Sequence, residues 1–408
     1  MIAAKSKQML IKSFEKTIYN FKERPGYKLN KNFGVYIHVP FCLSKCSFCS
    51  FYKEIYSEEL KQKYLHAVKK EILESNIEGP ANWVYIGGGT PNTLSIEELN
   101  NYLVLPLKSK TSFKSLGIEL LPAILSEDYL TNLKSSGFTK VSIGIESFDE
   151  KVIKNTGRNA DKNEDITNLI SFAKSIGLLI NTDMMVGLPG QTKNSFLNDI
   201  KKIASLLPDQ IITYPYMTLR GTQKSSGFED SKQFELIEEA HDILSRTGYK
   251  RSCVWTSLSG SDYYDSSRDE LIEDYIGFGP AAFSTFGNWK VVNPELGPYI
   301  KTMTNCKKMG FVAHKNKSTD IWRKFARMIY DLECRNSKDL PLYINLFIKL
   351  LKLSGYSKND RLNRKGRIFA NDITKTVVET LPFPLQNQSI VENYLEYQDY
   401  KDSINGPC

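Results

Sequence analysis

Residues 35–52 read VYIHVPFCLSKCSFCSFY and hold Cys42, Cys46 and Cys49 in the spacing C-x3-C-x2-C. The stretch opens on an apolar, β-branched run at 35–39 that predicts a strand, so the cysteines follow a strand's carboxyl end. Of seven cysteines in the chain, the other four (Cys253, Cys306, Cys334 and Cys408) stand far apart. An odd count with one tight group favours metal or catalytic use of that group in a reducing compartment over disulfides. Three thiolates can ligate three irons of a 4Fe-4S cluster and leave the fourth iron free to take a small molecule. Zinc is the rival metal, but a structural zinc site closes on four ligands and usually draws on a second Cys or His pair. No second C-x2-C occurs. His38 offers a fourth ligand; its other reading is a satisfied core residue. Phe41, Phe48 and Phe51 add apolar bulk that limits water at the thiolates.

Outward from this stretch, runs at 83–86, 117–121, 140–145, 179–186 and 211–217 also read as strands and alternate with helical patterns to about residue 220. Repeated βα units build a parallel sheet. The expected fold class is α/β, a partial (β/α)6 barrel with a mainly helical C-terminal domain. In such a barrel the ligand lies at the carboxyl ends of the strands. Leu60, Tyr64, Val68 and Ile72 recur every fourth residue and predict one buried helical stripe. Ser95 with Glu98 offers a capping box. Residues 233–246 predict a helix, 257–269 a polar loop, and 276–287 (IGFGPAAFSTFG) a glycine-punctuated run that approaches a ligand. The chain divides into a basic N-terminal arm (1–32), a core barrel (33–225), an extension with substrate-side loops (226–318), a helical C-terminal domain (319–382) that holds a basic stretch at 349–367, and a tail (383–408).

With 408 residues, 41% hydrophobic and 25% charged, the chain has the balance of a folded protein with a sizeable core. No run approaches the roughly 18 apolar residues of a membrane span. The arm carries eight of the basic side chains against Glu15 and Glu23, which accounts for six of the net +8 charges. It lacks a dense Lys/Arg cluster, so a nucleic-acid patch is not supported and a solvated arm is expected. It also lacks an apolar signal region, and a cytoplasmic protein is expected.

Further motifs follow in order: GGGTP at 87–91, SIGIESF at 142–148, Gly157-Arg158, D-x-x-x-GLPGQT at 183–192, GFGPAAFS at 277–284 and LNRKGRIFANDI at 362–373. Glycines in a post-strand loop let backbone groups approach a ligand closely. GGGTP has no Gly-Lys-Ser/Thr and is therefore no phosphate-binding P-loop. Together with the cysteines, this order resembles the radical S-adenosylmethionine (SAM) superfamily, and within it the oxygen-independent coproporphyrinogen III oxidase-like group, over roughly residues 33–375. The resemblance implies a 4Fe-4S cluster on Cys42, Cys46 and Cys49 and a SAM site formed by Tyr36, Phe48, Gly88, Gly89, Thr90, Glu119, Glu146, Arg158 and Asp183. In it Glu119 bonds the SAM amine or ribose, Arg158 the methionine carboxylate and Asp183 the ribose hydroxyls. Several members of the group bind a second SAM. Tyr214, Tyr216 and Arg220 are candidates to face the substrate, with aromatic packing as the other reading.

The implied function is a radical SAM enzyme acting on an aromatic or tetrapyrrole-like substrate, by methyl transfer, haem degradation or related chemistry, with reduced flavodoxin or ferredoxin as electron donor. A haem chaperone and a non-catalytic metal-binding scaffold are the alternatives. Some positions depart from the group. Phe51 stands where the oxidases carry a further cysteine. SSRDELIEDYIGFG at 266–279 lacks the His-Asn-x-x-Tyr-Trp motif of the haem chaperones. Glu146 replaces the usual Gln, and an ionised carboxylate there accepts hydrogen bonds but donates none. Protein purified without oxygen is expected to hold about four iron and four sulfide per chain. Cys42→Ala, Cys46→Ala and Cys49→Ala should each lose them by metal analysis, and Cys334→Ala should not; zinc alone would refute the reading.

Overall fold

The computed structural model describes residues 7–9, 11–12, 17–27, 29, 33–49, 51–158, 163–218, 226–260, 274–305, 307–380 and 391–405. In chain order the strands are β1 (Asn20–Glu23), β2 (Phe33–Val39), β3 (Phe41–Cys42), β4 (Glu54–Ile55), β5 (Trp83–Gly88), β6 (Leu116–Leu120), β7 (Lys140–Glu146), β8 (Leu179–Val186) and β9 (Gln210–Pro215). After them come β10 (Lys250–Arg251), β11 (Thr256–Leu258), β12 (Asp274–Phe278), β13 (Phe283–Phe286), β14 (Trp289–Val292) and β15 (Met309–His314). Thirteen of these form one mixed sheet in the order β1-β15-β14-β13-β12-β2-β5-β6-β7-β8-β9-β11-β10. Its centre, β12 to β9, is parallel throughout. All six expected strands are present. β12 is a seventh parallel strand, formed by the glycine-punctuated run. Gly277 hides the strand pattern because the carbonyl of Phe283 passes too close to admit any side chain there: a Cβ would lie 2.2 Å from that oxygen.

Parallel strands covered by helices alternate between the helix layer and the inner face. Val35, Ile37 and Val39 of β2 are fully buried under the helices, while Tyr36 and His38 take the opposite face. The helix Glu58–Leu73 starts at Ser57, whose side chain accepts from the Leu60 amide. Tyr64, Val68 and Ile72 are buried as expected, but Leu60 is 37% exposed. A strict four-residue step drifts about 40° per repeat around a 3.6-residue turn, so the stripe leaves Leu60 behind and continues through Lys61 and Leu65. The Ser95–Glu98 capping box is formed on both sides.

The expectation of a solvated arm fails for residues 17–27. β1 pairs antiparallel with β15, and Tyr19 and Phe21 are buried. Arg24 enters the interior, where its guanidinium bonds Glu71 and Asn293. Glu71 also accepts from Tyr299 at 2.7 Å and from the Gly279 amide at 2.9 Å. One buried carboxylate thus joins four otherwise separate segments.

The helices Lys317–Tyr330, Leu342–Leu353 and Arg364–Thr380 make up the C-terminal part. Part of its basic stretch is paired: Lys352 with Asp360, Arg364 with Asp242, and Arg367 with fully buried Glu238, which also receives Arg251. In the tail, Tyr397 of the helix Tyr394–Asn405 packs on Phe21 and Phe311 at ring distances of 5.0 and 4.7 Å. Among the described residues no helix is long and apolar enough to cross a membrane. Arg24→Met leaves Glu71 charged and buried, and should cost about 3–5 kcal/mol. Leu60→Ala should stay within about 0.5 kcal/mol of the parent protein. Denaturant unfolding monitored by circular dichroism measures both.

Candidate functional site

Cys42 ends β3, directly beyond Pro40, where the chain leaves β2. The glycine loop after β5 is tied to it through the backbone: the Gly89 amide donates to Val39 O at 2.7 Å and the Thr90 amide to Phe41 O at 2.7 Å. Such closeness excludes side chains. At Gly88, whose φ is +117°, a Cβ would lie 2.7 Å from the His38 ring, and at Gly87 it would meet the Glu119 carboxylate at 2.8 Å. Glu119 accepts from the Gly88 amide at 3.0 Å, so the carboxylate lies directly beneath the loop.

The Thr90 hydroxyl bonds the Cys42 sulfur at 3.5 Å, and two cations stand by the other thiols, Arg158 by Cys46 and Lys53, held on Cys49 O, by Cys49. Burial pushes the Cys42 and Cys49 thiols up, with Thr90 opposing at Cys42 and Lys53 at Cys49. Across the sheet, the Ser47 amide donates to Thr156 O at 2.8 Å, which draws the cysteine loop over the strand ends toward the segment after β7. Among the described residues no three Cys, His, Asp or Glu side chains converge on one ion. A cubane spreads its thiolates over separate irons and asks for a wider triangle. His38 takes the satisfied-core reading: the Tyr36 hydroxyl lies 3.1 Å from Nδ1 and Tyr52 O 3.0 Å from Nε2. A backbone carbonyl only accepts, so the network assigns the proton to Nε2 and makes Nδ1 the acceptor from Tyr36. Burial lowers the His38 pKa to about 4, which keeps the ring neutral.

Glu146, Arg158 and Asp183 come together at the ends of β7 and β8. Arg158 donates to Gly144 O at 2.8 Å, stands 3.6 Å from Glu146 and covers the Phe48 ring at 5.4 Å. Glu146 sits at a register shift in β7 with φ +65°, and its carboxylate accepts from Tyr214 at 3.1 Å. Asp183 accepts from Ser142 and Asn181, each at 3.0 Å. Burial is the chief cause that raises Glu146 to about 7, with Arg158 opposing, and Asp183 to about 6, with its hydrogen bonds opposing. Two polar atoms of this set, Arg158 Nε and Asn181 Oδ1, are buried without a partner. Tyr214 does face the group. Tyr216 does not: it is fully buried among Val152, Met185 and Leu188. Arg220 lies outside the described residues. The reading of the sequence passed over Asn181, Tyr52 and Lys53; Asn181 was within reach of it, two positions before Asp183 on one strand and therefore on the same face.

Residues 36–203 match the profile of the Radical SAM superfamily. The chain contains a radical SAM domain. The chain is 28% identical over 330 residues to Heme chaperone HemW of Buchnera aphidicola subsp. Acyrthosiphon pisum, covering 77% of this chain and 82% of that one. It is 27% identical over 328 residues to oxygen-independent coproporphyrinogen III oxidase of Escherichia coli K12, covering 71% and 68%. Its fold is similar to the solved structure of coproporphyrinogen III oxidase (HemN) from Escherichia coli, with a TM-score of 0.74, 22% identity and coverage of 89% and 96%.

A radical SAM domain implies a 4Fe-4S cluster and SAM. The residues fit both. Three thiols stand at one strand end, and the two unpartnered buried atoms lie among paired carboxylates and a guanidinium that suit an amino acid and a ribose. Glu146 and Asp183 bind a proton more tightly folded than unfolded, so each lowers stability as pH rises from its ordinary value of 4.5 or 3.8 to about 7 or about 6. Glu146→Gln should therefore flatten most of the fall in stability between pH 6 and 7, where Glu146 stays protonated to a greater extent than Asp183. Urea midpoints across that range measure the slope.

Proposed function

We propose that this chain is a radical SAM enzyme acting on a tetrapyrrole-like or aromatic substrate. When bound, a 4Fe-4S cluster would supply one-electron reductive cleavage of SAM to methionine and a 5'-deoxyadenosyl radical, with reduced flavodoxin or ferredoxin as the electron source. The observation that carries the reading is the place of Arg158, which lies 3.6 Å from Glu146, covers Phe48 of the cysteine loop and sets its charge beside the Cys46 thiol, between the thiols and the buried carboxylates.

Cys42, Cys46 and Cys49 would hold three irons. Arg158 would take the methionine carboxylate, a charge-assisted pairing. Glu119, with the backbone of Gly88 and Gly89, would take the amine, and Asp183 and Glu146 the ribose hydroxyls. The domain's inner face is aromatic as well as polar: Tyr36 and Tyr85 are register partners across β2 and β5, and Trp83 lies 6.3 Å from Tyr275. Phe51, 63% exposed in place of a further cysteine, argues against the oxidase reaction itself.

A second reading, the haem chaperone, is favoured by the names of two relatives called Heme chaperone HemW, of which the chain covers 82% and 98%. The two readings separate in one anaerobic experiment with dithionite, SAM and candidate tetrapyrroles. Release of 5'-deoxyadenosine or S-adenosylhomocysteine supports catalysis; a stable haem Soret shift without SAM turnover supports the chaperone. Under the catalytic reading Arg158→Met loses a hydrogen bond to a charged group, about 1.5–3 kcal/mol. SAM should then bind roughly ten- to a hundredfold more weakly in equilibrium dialysis.

A further inference from the structure

Lys53 stands apart from the other lysines. Its ammonium donates to Cys49 O at 2.7 Å and to Phe51 O at 3.3 Å, which sets its charge beside the Cys49 thiol. Two of its three protons thus meet carbonyls of one loop. Both neighbours are anchored. Tyr52 receives the His38 ring on its carbonyl, and its hydroxyl donates to Glu54 and accepts from the Leu296 amide at 2.8 Å. Glu54 opens β4, its amide donating to Pro40 O at 2.7 Å, and pairs with Phe41 beside Cys42. The Lys53 backbone is therefore fixed against the same short strand that carries the first cysteine. Of the three groups beside the thiols, Thr90 is neutral and Arg158 shares its charge with Glu146 at 3.6 Å. Lys53 has no ion pair with a described carboxylate.

We propose that Lys53 is a positioning residue that closes the cysteine loop through the Cys49 and Phe51 carbonyls and holds a positive charge beside the Cys49 sulfur, thereby raising the cluster's reduction potential. The inference rests on the radical SAM reading above. Hydrogen bonds to cluster sulfurs and net charge set such potentials. Reduction adds one electron, supplied by an external reductant, and a nearby cation favours the more negative state that results.

The test is an anaerobic redox titration of the reconstituted full chain followed by electron paramagnetic resonance, with wild type, K53M and K53R compared. K53M should reduce about tenfold less at a fixed poise, about 59 mV lower for one electron, and K53R should restore most of the difference. A K53M midpoint equal to wild type overturns the proposal. If K53M does not retain about four irons per chain, K53Q, an uncharged donor, takes its place, and an unchanged midpoint there overturns the proposal equally. Loss of iron in every variant, K53R included, also overturns it, because a tuning cation tolerates another cation. Wild-type protein that assembles no four-iron cluster sinks the underlying reading instead, and iron and sulfide content reveal that before any titration.

Discussion

Two backbone hydrogen bonds, from Gly89 to Val39 O and from Thr90 to Phe41 O, govern the rest of the site. They weld the glycine loop to the turn that carries Cys42, and the contact is tight enough that side chains at 87 and 88 would strike Glu119 and His38. Once this seam is closed, Glu119 lies under the loop and Thr90 points at the first sulfur. The cysteine loop then reaches over the strand ends to Thr156, two residues before Arg158.

Away from the site, two buried carboxylates hold the assembly together. Glu71 gathers Arg24, Asn293, Tyr299 and the Gly279 amide, and so fixes both the N-terminal strand and the GFGP turn, which passes against His38. Glu238 gathers Arg251 and Arg367 and fastens the C-terminal helices to the helix Asp230–Arg246. A buried charge is tolerated only when its lone pairs are filled, and both carboxylates meet that condition with partners from distant parts of the chain.

What the sequence disclosed follows from the same physics. The six parallel strands were legible because each is a compact β-branched run between turn residues, and the cysteine spacing was legible because it is local. β12 was not, since Gly277 and Gly279 answer to a neighbouring carbonyl and to the His38 backbone rather than to strand propensity. The arm misled because its charge is local while its burial is not: Arg24 finds Glu71 only in the folded chain. Tyr216 takes the packing reading, and its position gives the reason. It sits two residues beyond Tyr214 but past the end of β9, where alternation no longer predicts direction. Likewise, the roles of Asn181 and Lys53 depend on partners that composition does not announce.

The pairing of β1 with β15 has a consequence for how the molecule is made. β1 is synthesised well before its partner, so a nascent chain carries Tyr19 and Phe21 exposed while the parallel strands between β1 and β15 are made. Sheet closure at this edge waits for β15, and Tyr397, later in the chain again, then packs on those rings. A product that lacks β1 leaves the edge of β15 unpaired and open to association with other chains.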